Sequence, residues 1–585
     1  MRTRLAMTLI ALSGMGTMGD ARAGAPVFWV GAAAPCNFNS LQTAIGAVPD
    51  GAEIRLATNQ AYDNVNVVVG DKSLLISGGW GDCSDDAADG VTELVGDPLL
   101  VLPVLAIGSP ATAREVVLRR LHVRGGRRSG IELSGHVELR VERSTVDANE
   151  AQVGGGIRVV GVSQEDTVLR VVESMVGNAT GADGNLADYG GGIACANAHV
   201  RLGGSAIIGN QAASEGGGLY LDGCALDTSP NVYAFDGIGS LSLWIASNTA
   251  AINGGGIAAV GASTLEFHAP VAPYAIHANH ANEGGGLLLR NPGTALQARG
   301  LVLSDNVATD RGGAASLQDG AQFTMQRLLP VVAGGGVVAT SCGLAAACNV
   351  VSGNRAETYT GGAFYVSQGS LALRQVLLDD NYSANGSVLL LYDGTVRIEN
   401  SLLRGNDAGS GALVRMLDDS SFVLNSSTVA GNTTGASLFE LFSEGGANNL
   451  HFRNSIIWQP DTTVVVPTPV DVVSGACLNA HEQASIDALV HDPGFVDAAA
   501  GDYRLHAASP NVDACADPFA GPVADLLGRE RPTDLGPDHG EGDFDRGAYE
   551  LGDRIFADGF EGIWSPIGAA QRGTRRPVAG LAQDR

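Results

Sequence analysis

The sequence predicts an all-β fold, a right-handed parallel β-helix solenoid with an N-terminal cap and a small C-terminal capping module. Three observations carry this: an aliphatic-x-x-Asn step that recurs ten times, a glycine cluster that follows most copies, and short stretches in which apolar residues alternate. Length agrees, because 585 residues exceed one compact core while a solenoid grows without one. Composition agrees as well. Glycine is 81 of 585 residues, about twice its ordinary share, yet the hydrophobic fraction of 45% is that of a folded chain.

The front of the chain reads as a secretory signal over residues 1–23. Arg2 and Arg4 give the charged start, Leu5 to Met18 is mostly apolar, and Ala21-Arg22-Ala23 supplies the cleavage site, so the exported chain is expected to begin at Gly24. Later apolar runs fall short of the roughly 18 residues that a membrane-spanning helix needs. Export to a soluble compartment is therefore expected. Eight cysteines, an even number in an exported chain, suit disulfides, and proximity in sequence pairs Cys36 with Cys83, Cys195 with Cys224, Cys342 with Cys348 and Cys477 with Cys515. In residues 24–80, which hold the cap and first coils, Leu41, Ala44 and Ile45 fall at helical spacing just before the strands begin.

Residues 81–460 carry the repeat. The pairs are Val146/Asn149, Met175/Asn178, Ile207/Asn210, Ile245/Asn248, Ile276/Asn279, Leu303/Asn306, Val351/Asn354, Leu378/Asn381, Leu403/Asn406 and Val429/Asn432. Asn-to-Asn spacings of 29, 32, 38, 31, 27, 48, 27, 25 and 26 give a bare unit near 25 residues, with loops inserted in the longer ones. The longest insertions, near 222–240 and 320–347, are the expected contact surfaces. Alternation in Val137-x-Leu139-x-Val141, Leu371-x-Leu373 and Val396-x-Ile398 means strands, and glycine triplets such as Gly154-Gly155-Gly156 and Gly254-Gly255-Gly256 would destabilise any helix by about 1 kcal/mol per residue. Each unit is expected to be one coil, the asparagines stacking as a side-chain ladder and taking left-handed geometry, the glycines forming the next corner.

The step and the Gly-Gly-Gly/Ala-Ile corner together resemble the repeats of chlamydial polymorphic outer membrane proteins and, more widely, the pectin-lyase-like β-helix superfamily. Leu41-Gln42-Thr43-Ala44-Ile45, Asp50-Gly51-Ala52-Glu53-Ile54 and Leu75-Ile76-Ser77-Gly78-Gly79 resemble the cap helix and first coils of that superfamily. Residues 461–550 differ. Asp492-Pro493-Gly494-Phe495-Val496-Asp497, Asp502-Tyr503-Arg504-Leu505, Ser509-Pro510-Asn511-Val512-Asp513 and Gly547-Ala548-Tyr549-Glu550 resemble the bacterial choice-of-anchor Q module. These resemblances imply a secreted or cell-surface location in a bacterium, associated with the outer membrane. Residues 551–585 read as a disordered tail.

Charge argues against two classes of partner, since the summed field of a formal net charge of −27 repels phosphate backbones and anionic lipid; nucleic acid is not expected. Many β-helices act on carbohydrates, but of the Asn-x-Asp, Asp-Asp, Gly-His-Gly and Arg-x-Lys motifs of polygalacturonase-like enzymes only Asp379-Asp380 occurs, and Lys72 is the sole lysine. No catalytic residue is assigned. Between Arg114 and Arg143 stand eight arginines against four glutamates, and Arg119, Arg120, Arg124, Arg127 and Arg128, with His122, are candidates to grip carboxylate or sulfate groups. Asp534, Asp538, Glu541, Asp543 and Asp545 could ligate calcium, although solvated turn carboxylates explain them as well; no other cofactor is implied. The expected function is a non-catalytic adhesion or extracellular interaction scaffold that meets a glycan or a cell-surface protein. The alternative is a lyase or glycoside hydrolase acting on an anionic polysaccharide.

Overall fold

Alternating apolar residues form strands because every second side chain finds the interior. Val137, Leu139 and Val141 are buried within the strand Ile131–Glu142, Leu371 and Leu373 within Ser370–Arg374, and Val396 and Ile398 within Thr395–Glu399. The computed structural model describes residues 24–551 apart from 182, 229–242, 269–273, 328–330, 334–335, 339–348, 385, 483–487, 517–523, 530 and 532–541. The signal segment, the tail from 552, the Cys342/Cys348 pair, most of the 222–240 insertion and half of the 320–347 insertion lie outside the described residues.

The strands stack in parallel columns, a β-solenoid of about fifteen turns. Each coil contributes one strand to a first column, one to a second and one to a third; the third is a sheet of 15 strands. A fourth column of seven strands runs beside the middle coils. Register is strict, so like residues stack: Ile157 pairs with Ile193, Ile193 with Leu219, Leu219 with Ile257, and Ile257 with Leu287. Pairing continues past residue 460, through Thr463–Val466 and Val472–Ala476 to Ala488–Leu489. Inside the bore aromatics stack too, Phe439 meeting Phe422 at 5.7 Å and Phe452 at 5.0 Å between ring centroids.

The corner between the third and fourth columns is built by asparagine. Each Nδ2 donates to the Oδ1 of the asparagine in the next coil, and the same Oδ1 accepts the backbone N–H of the earlier residue; for Asn248 and Asn279 the two bonds are 3.1 and 3.0 Å. The ladder runs Asn149, Asn185, Asn210, Asn248, Asn279, Asn306, Asn354, Asn381, Asn406 and Asn432, and Gln459 Oε1 accepts the last backbone N–H at 2.9 Å.

Two expectations are corrected here. Asn178 is not a rung. Residues inserted after the strand Met175–Gly177 move the corner on to Asn185, and Asn178 instead closes a local turn by accepting from Thr180 N and Oγ1 at 2.9 and 2.8 Å. Nor do the ladder asparagines take left-handed geometry. The residue before nine of the ten does: Ala148, Ser247, Ala278, Asp305 and Asp380 have φ of 51–56°, and glycine fills this place at 209, 353, 405 and 431; Gly184, before Asn185, is the exception.

The expected helix spans Leu41–Ala47, with Leu41, Ala44 and Ile45 as its buried residues, and Ser40 Oγ accepts from Thr43 N. Disulfides join Cys36–Cys83, Cys195–Cys224 and Cys477–Cys515, as expected. With sequence separations of 47, 29 and 38, each restricts the unfolded chain by about 3–4 kcal/mol on the chain-entropy model.

The segment after 490 reaches the last coil through an Asn479–Asn511 bond of 3.0 Å and then lies along the flank of the third column. Tyr503, Leu526 and Ala548 pack with Leu402, Ala430, Leu377 and Trp458, while Gln375 and Asn400 donate to the carbonyls of Asp525 and Ala524. Beneath this contact Arg531 and Glu550 form a buried ion pair of 3.1 Å. Nearby, burial pushes the Asp545 carboxyl up to about 6, although the N–H groups of Asp513 and Leu551 hold its two oxygens. A raised carboxyl pKa means that the folded segment binds the proton more tightly than the unfolded chain does. The segment is therefore expected to lose stability as pH rises from about 4 through about 6. Unfolding followed by Trp458 fluorescence should show that slope, and Asp545→Asn should flatten it.

Candidate glycan groove at the glycine corner

Beyond the fourth column the chain turns back into the first column through the glycines. The first of each cluster takes φ of 62–71° at Gly154, Gly190, Gly216, Gly254, Gly284, Gly312 and Gly361, which sharpens the corner into a concave angle. The residue just before that glycine points into the angle. Because the corners are in register, Val153, Tyr189, Glu215, Asn253, Glu283, Arg311 and Thr360 align along the rod.

Opposite them runs the outer row of the first column: Arg158, Ala194, Tyr220, Ala258, Leu288, Ser316 and Tyr365. Ala194, Ala258, Leu288 and Ser316 are buried although they face away from the core, covered by the larger side chains on either side; they are the floor of the angle. The larger side chains are its walls. From Tyr189 to Thr360 it crosses six coils, about 24 Å at the strand spacing.

Two clusters occupy it. In the first, the rings of Tyr189 and Tyr220 lie 5.2 Å apart, and Glu215 accepts from Asn253 Nδ2 at 2.7 Å and from Arg290 at 3.2 Å. Burial, with Asp222 and Glu215 adding to it, pushes the Tyr220 hydroxyl up to about 12, so it stays a donor. In the second, Glu283 accepts from Ser316 Oγ at 2.9 Å and from Gln318, while Arg311 lies over the Tyr365 ring at 4.9 Å and the Tyr359 ring at 5.8 Å. Burial raises the Glu283 carboxyl above its ordinary range, opposed by Ser316, Arg311 and Gln318. Exposed aromatic edges beside fixed carboxylates, amides and guanidinium groups suit the apolar faces and hydroxyl rims of sugar rings.

The arginines singled out in the sequence do not share one face; they wrap a single coil. Arg119 ends a second-column strand and pairs with Glu142 at 2.9 Å, and Arg120, at the corner, donates to the Ala88 carbonyl. Arg124 stands on the third column, 3.3 Å from Glu93, with His122 2.7 Å from Asp147; that bond raises the imidazole pKa. Arg127 and Arg128 lie in the turn that follows, Arg127 donating to Pro98 O at 3.3 Å and Arg128 meeting Glu132 at 3.2 Å. Register does bring together Arg140, Arg170 and Arg201 on the second column, but Glu142, Glu138 and Asp227 sit against them. Of the acidic run, Asp543 and Asp545 alone are among the described residues.

The repeating positions carry no mark of the groove. Its signal lies in what does not repeat: the position before the first glycine is Val, Tyr, Glu, Asn, Glu, Arg and Thr in successive coils, between constant neighbours.

No family model and no curated protein matches the sequence. Among solved structures the chain is similar to a pectate lyase, Pel9A, over 90% of this chain and 98% of that one, at 10% identity and a TM-score of 0.22. The assignment of a parallel β-solenoid therefore rests on the strand pairings above. Three disulfides point to an oxidising compartment, and among the described residues no helix is long and apolar enough to cross a membrane.

Proposed function

We propose that this chain is an exported β-solenoid that binds extracellular glycans along the glycine-corner groove and does not turn them over. The observation that supports this reading is the in-register row of variable residues from Tyr189 to Thr360 above a buried floor of small side chains. A regular scaffold that varies in chemistry along one strip has the form of a surface that reads successive units of a polymer. The signal-like first 23 residues, the likeness of the repeat to polymorphic outer membrane proteins and that of residues 461–550 to the choice-of-anchor Q module fit a role outside the cell.

Glu283 favours the second reading, a hydrolase or lyase acting on an anionic polysaccharide. Burial shifts its carboxyl in the direction that a general acid needs, and Glu215 stands two coils away, about 10 Å at the strand spacing. Hydrogen bonds from Asn253, Arg290, Ser316 and Gln318 to these two carboxylates favour a binding role instead.

A glycan array probed with the exported chain, run beside reducing-end and unsaturated-uronate assays, separates the two. Retention without new reducing ends is expected, and Tyr189→Ala with Tyr365→Ala should weaken it at least tenfold. Turnover of any polymer, abolished by Glu283→Gln, would establish the enzyme reading.

A further inference from the structure

We propose that residues 97–103, with the arginines at their base, form a docking surface for a bilayer bearing anionic phospholipid headgroups. Four consecutive apolar residues crown this loop, and all are open to solvent: Leu99 is 89% exposed, Leu100 44%, Val101 69% and Leu102 38%. So contiguous an apolar exposure is unusual on a soluble surface. The tip is held in place. Asp97 Oδ1 accepts from Leu99 N at 2.9 Å and Asp97 O accepts from Leu100 N at 3.2 Å.

Beneath the tip lies the arginine-rich coil. Arg127 N donates to Leu102 O at 3.3 Å and its guanidinium to Pro98 O, so the arginine clasps both feet of the loop. Both bonds go to neutral carbonyls and leave the charge of Arg127 outward. Arg124 sits at the foot, its carbonyl accepting from Gly96 N at 2.9 Å, and Arg128 is the next exposed residue.

An exposed apolar tip with Arg127 at its base, and with Arg124 and Arg128 beside it in ion pairs with Glu93 and Glu132, has the form of an interfacial anchor. The aliphatic groups enter the headgroup boundary while the arginines, with their long stems, stay among the phosphates. A glycan would ask for a concave, polar site instead. The net charge of −27 does not forbid the approach, since physiological salt screens charges beyond about 8 Å and the arginine coil is the part that meets the bilayer.

Sedimentation of the exported chain with phosphatidylcholine vesicles, with and without about one third phosphatidylglycerol, tests this. Retention on the phosphatidylglycerol vesicles is expected. Leu99→Ser with Val101→Ser should lower the partition coefficient at least tenfold, and Arg127→Ser should weaken retention and flatten its salt dependence. These side chains are exposed, so each variant should keep the circular dichroism of the parent. The proposal falls if there is no retention, if retention is the same on pure phosphatidylcholine, or if the Leu99/Val101 variant is unchanged. It also falls if the loop proves to mediate self-association without vesicle binding.

Discussion

Gly255→Ala is expected to disrupt the solenoid at its middle coils. A methyl group there would stand 2.4 Å from the carbonyl oxygen of His280 and 2.5 Å from that of Gly285, both backbone atoms of the next coil. Neither can retreat without breaking the hydrogen bonds that hold neighbouring coils 4.8 Å apart, so the loss should be about 3 kcal/mol or more. The second glycine is kept in all seven corners from Gly155 to Gly362, whereas the third position already becomes Ala314 and Ala363 in later coils. Gly286→Ala should accordingly be milder. Because coils depend on their neighbours, hydrogen exchange is the proper readout, with protection falling from about residue 250 to 290 in Gly255→Ala and much less in Gly286→Ala.

Asn279→Ala should cost a similar amount for a different reason. Its Oδ1 accepts from both the backbone and the side chain of Asn248, and its Nδ2 donates to Ile245 O at 2.9 Å and to Asn306 Oδ1 at 3.0 Å. Asn279 and its two neighbours in the ladder are fully buried, so water cannot take its place. Two donors of Asn248 and one carbonyl would be stranded, and at about 1–3 kcal/mol each the loss is about 3 kcal/mol or more. Asn279→Asp is no rescue, because a carboxylate would face Asn306 Oδ1 and the Ile245 carbonyl with no proton to offer. Lowered unfolding midpoints for both variants, with Asp the worse at neutral pH, are the expected result.

The fold was largely legible because its rules are local and repeated. Alternating side chains gave the strands, and the asparagine step gave the coil length. Asn178 shows how such reading slips: it sits three residues after Met175, but an insertion had moved the corner to Asn185, whose own preceding residues carry no aliphatic mark. A second ladder was not legible at all. Ser144 N donates to Ser174 Oγ, Ser174 N to Ser205 Oγ, and Ser401 N to Ser427 Oγ, yet serine is too common for its spacing to stand out.

The candidate site was less legible than the fold. Charge is densest at Arg119, Arg120, Arg124, Arg127 and Arg128, but neighbours in sequence wrap around a coil, whereas neighbours on a solenoid surface are a whole coil apart in sequence. Glu215 and Arg290 meet across 75 residues. Only the register of the coils places such residues side by side.

Binding of acidic and neutral oligosaccharides to the exported chain, measured by titration calorimetry for the parent, for Tyr189→Ala with Tyr365→Ala, and for Arg119→Ser with Arg124→Ser, tests the groove most directly. A glycan bound by the parent should lose at least tenfold in affinity with the tyrosine variant and keep its affinity with the arginine variant. The reverse pattern would move the site to the arginine coil, and unchanged affinity in both would contradict the groove.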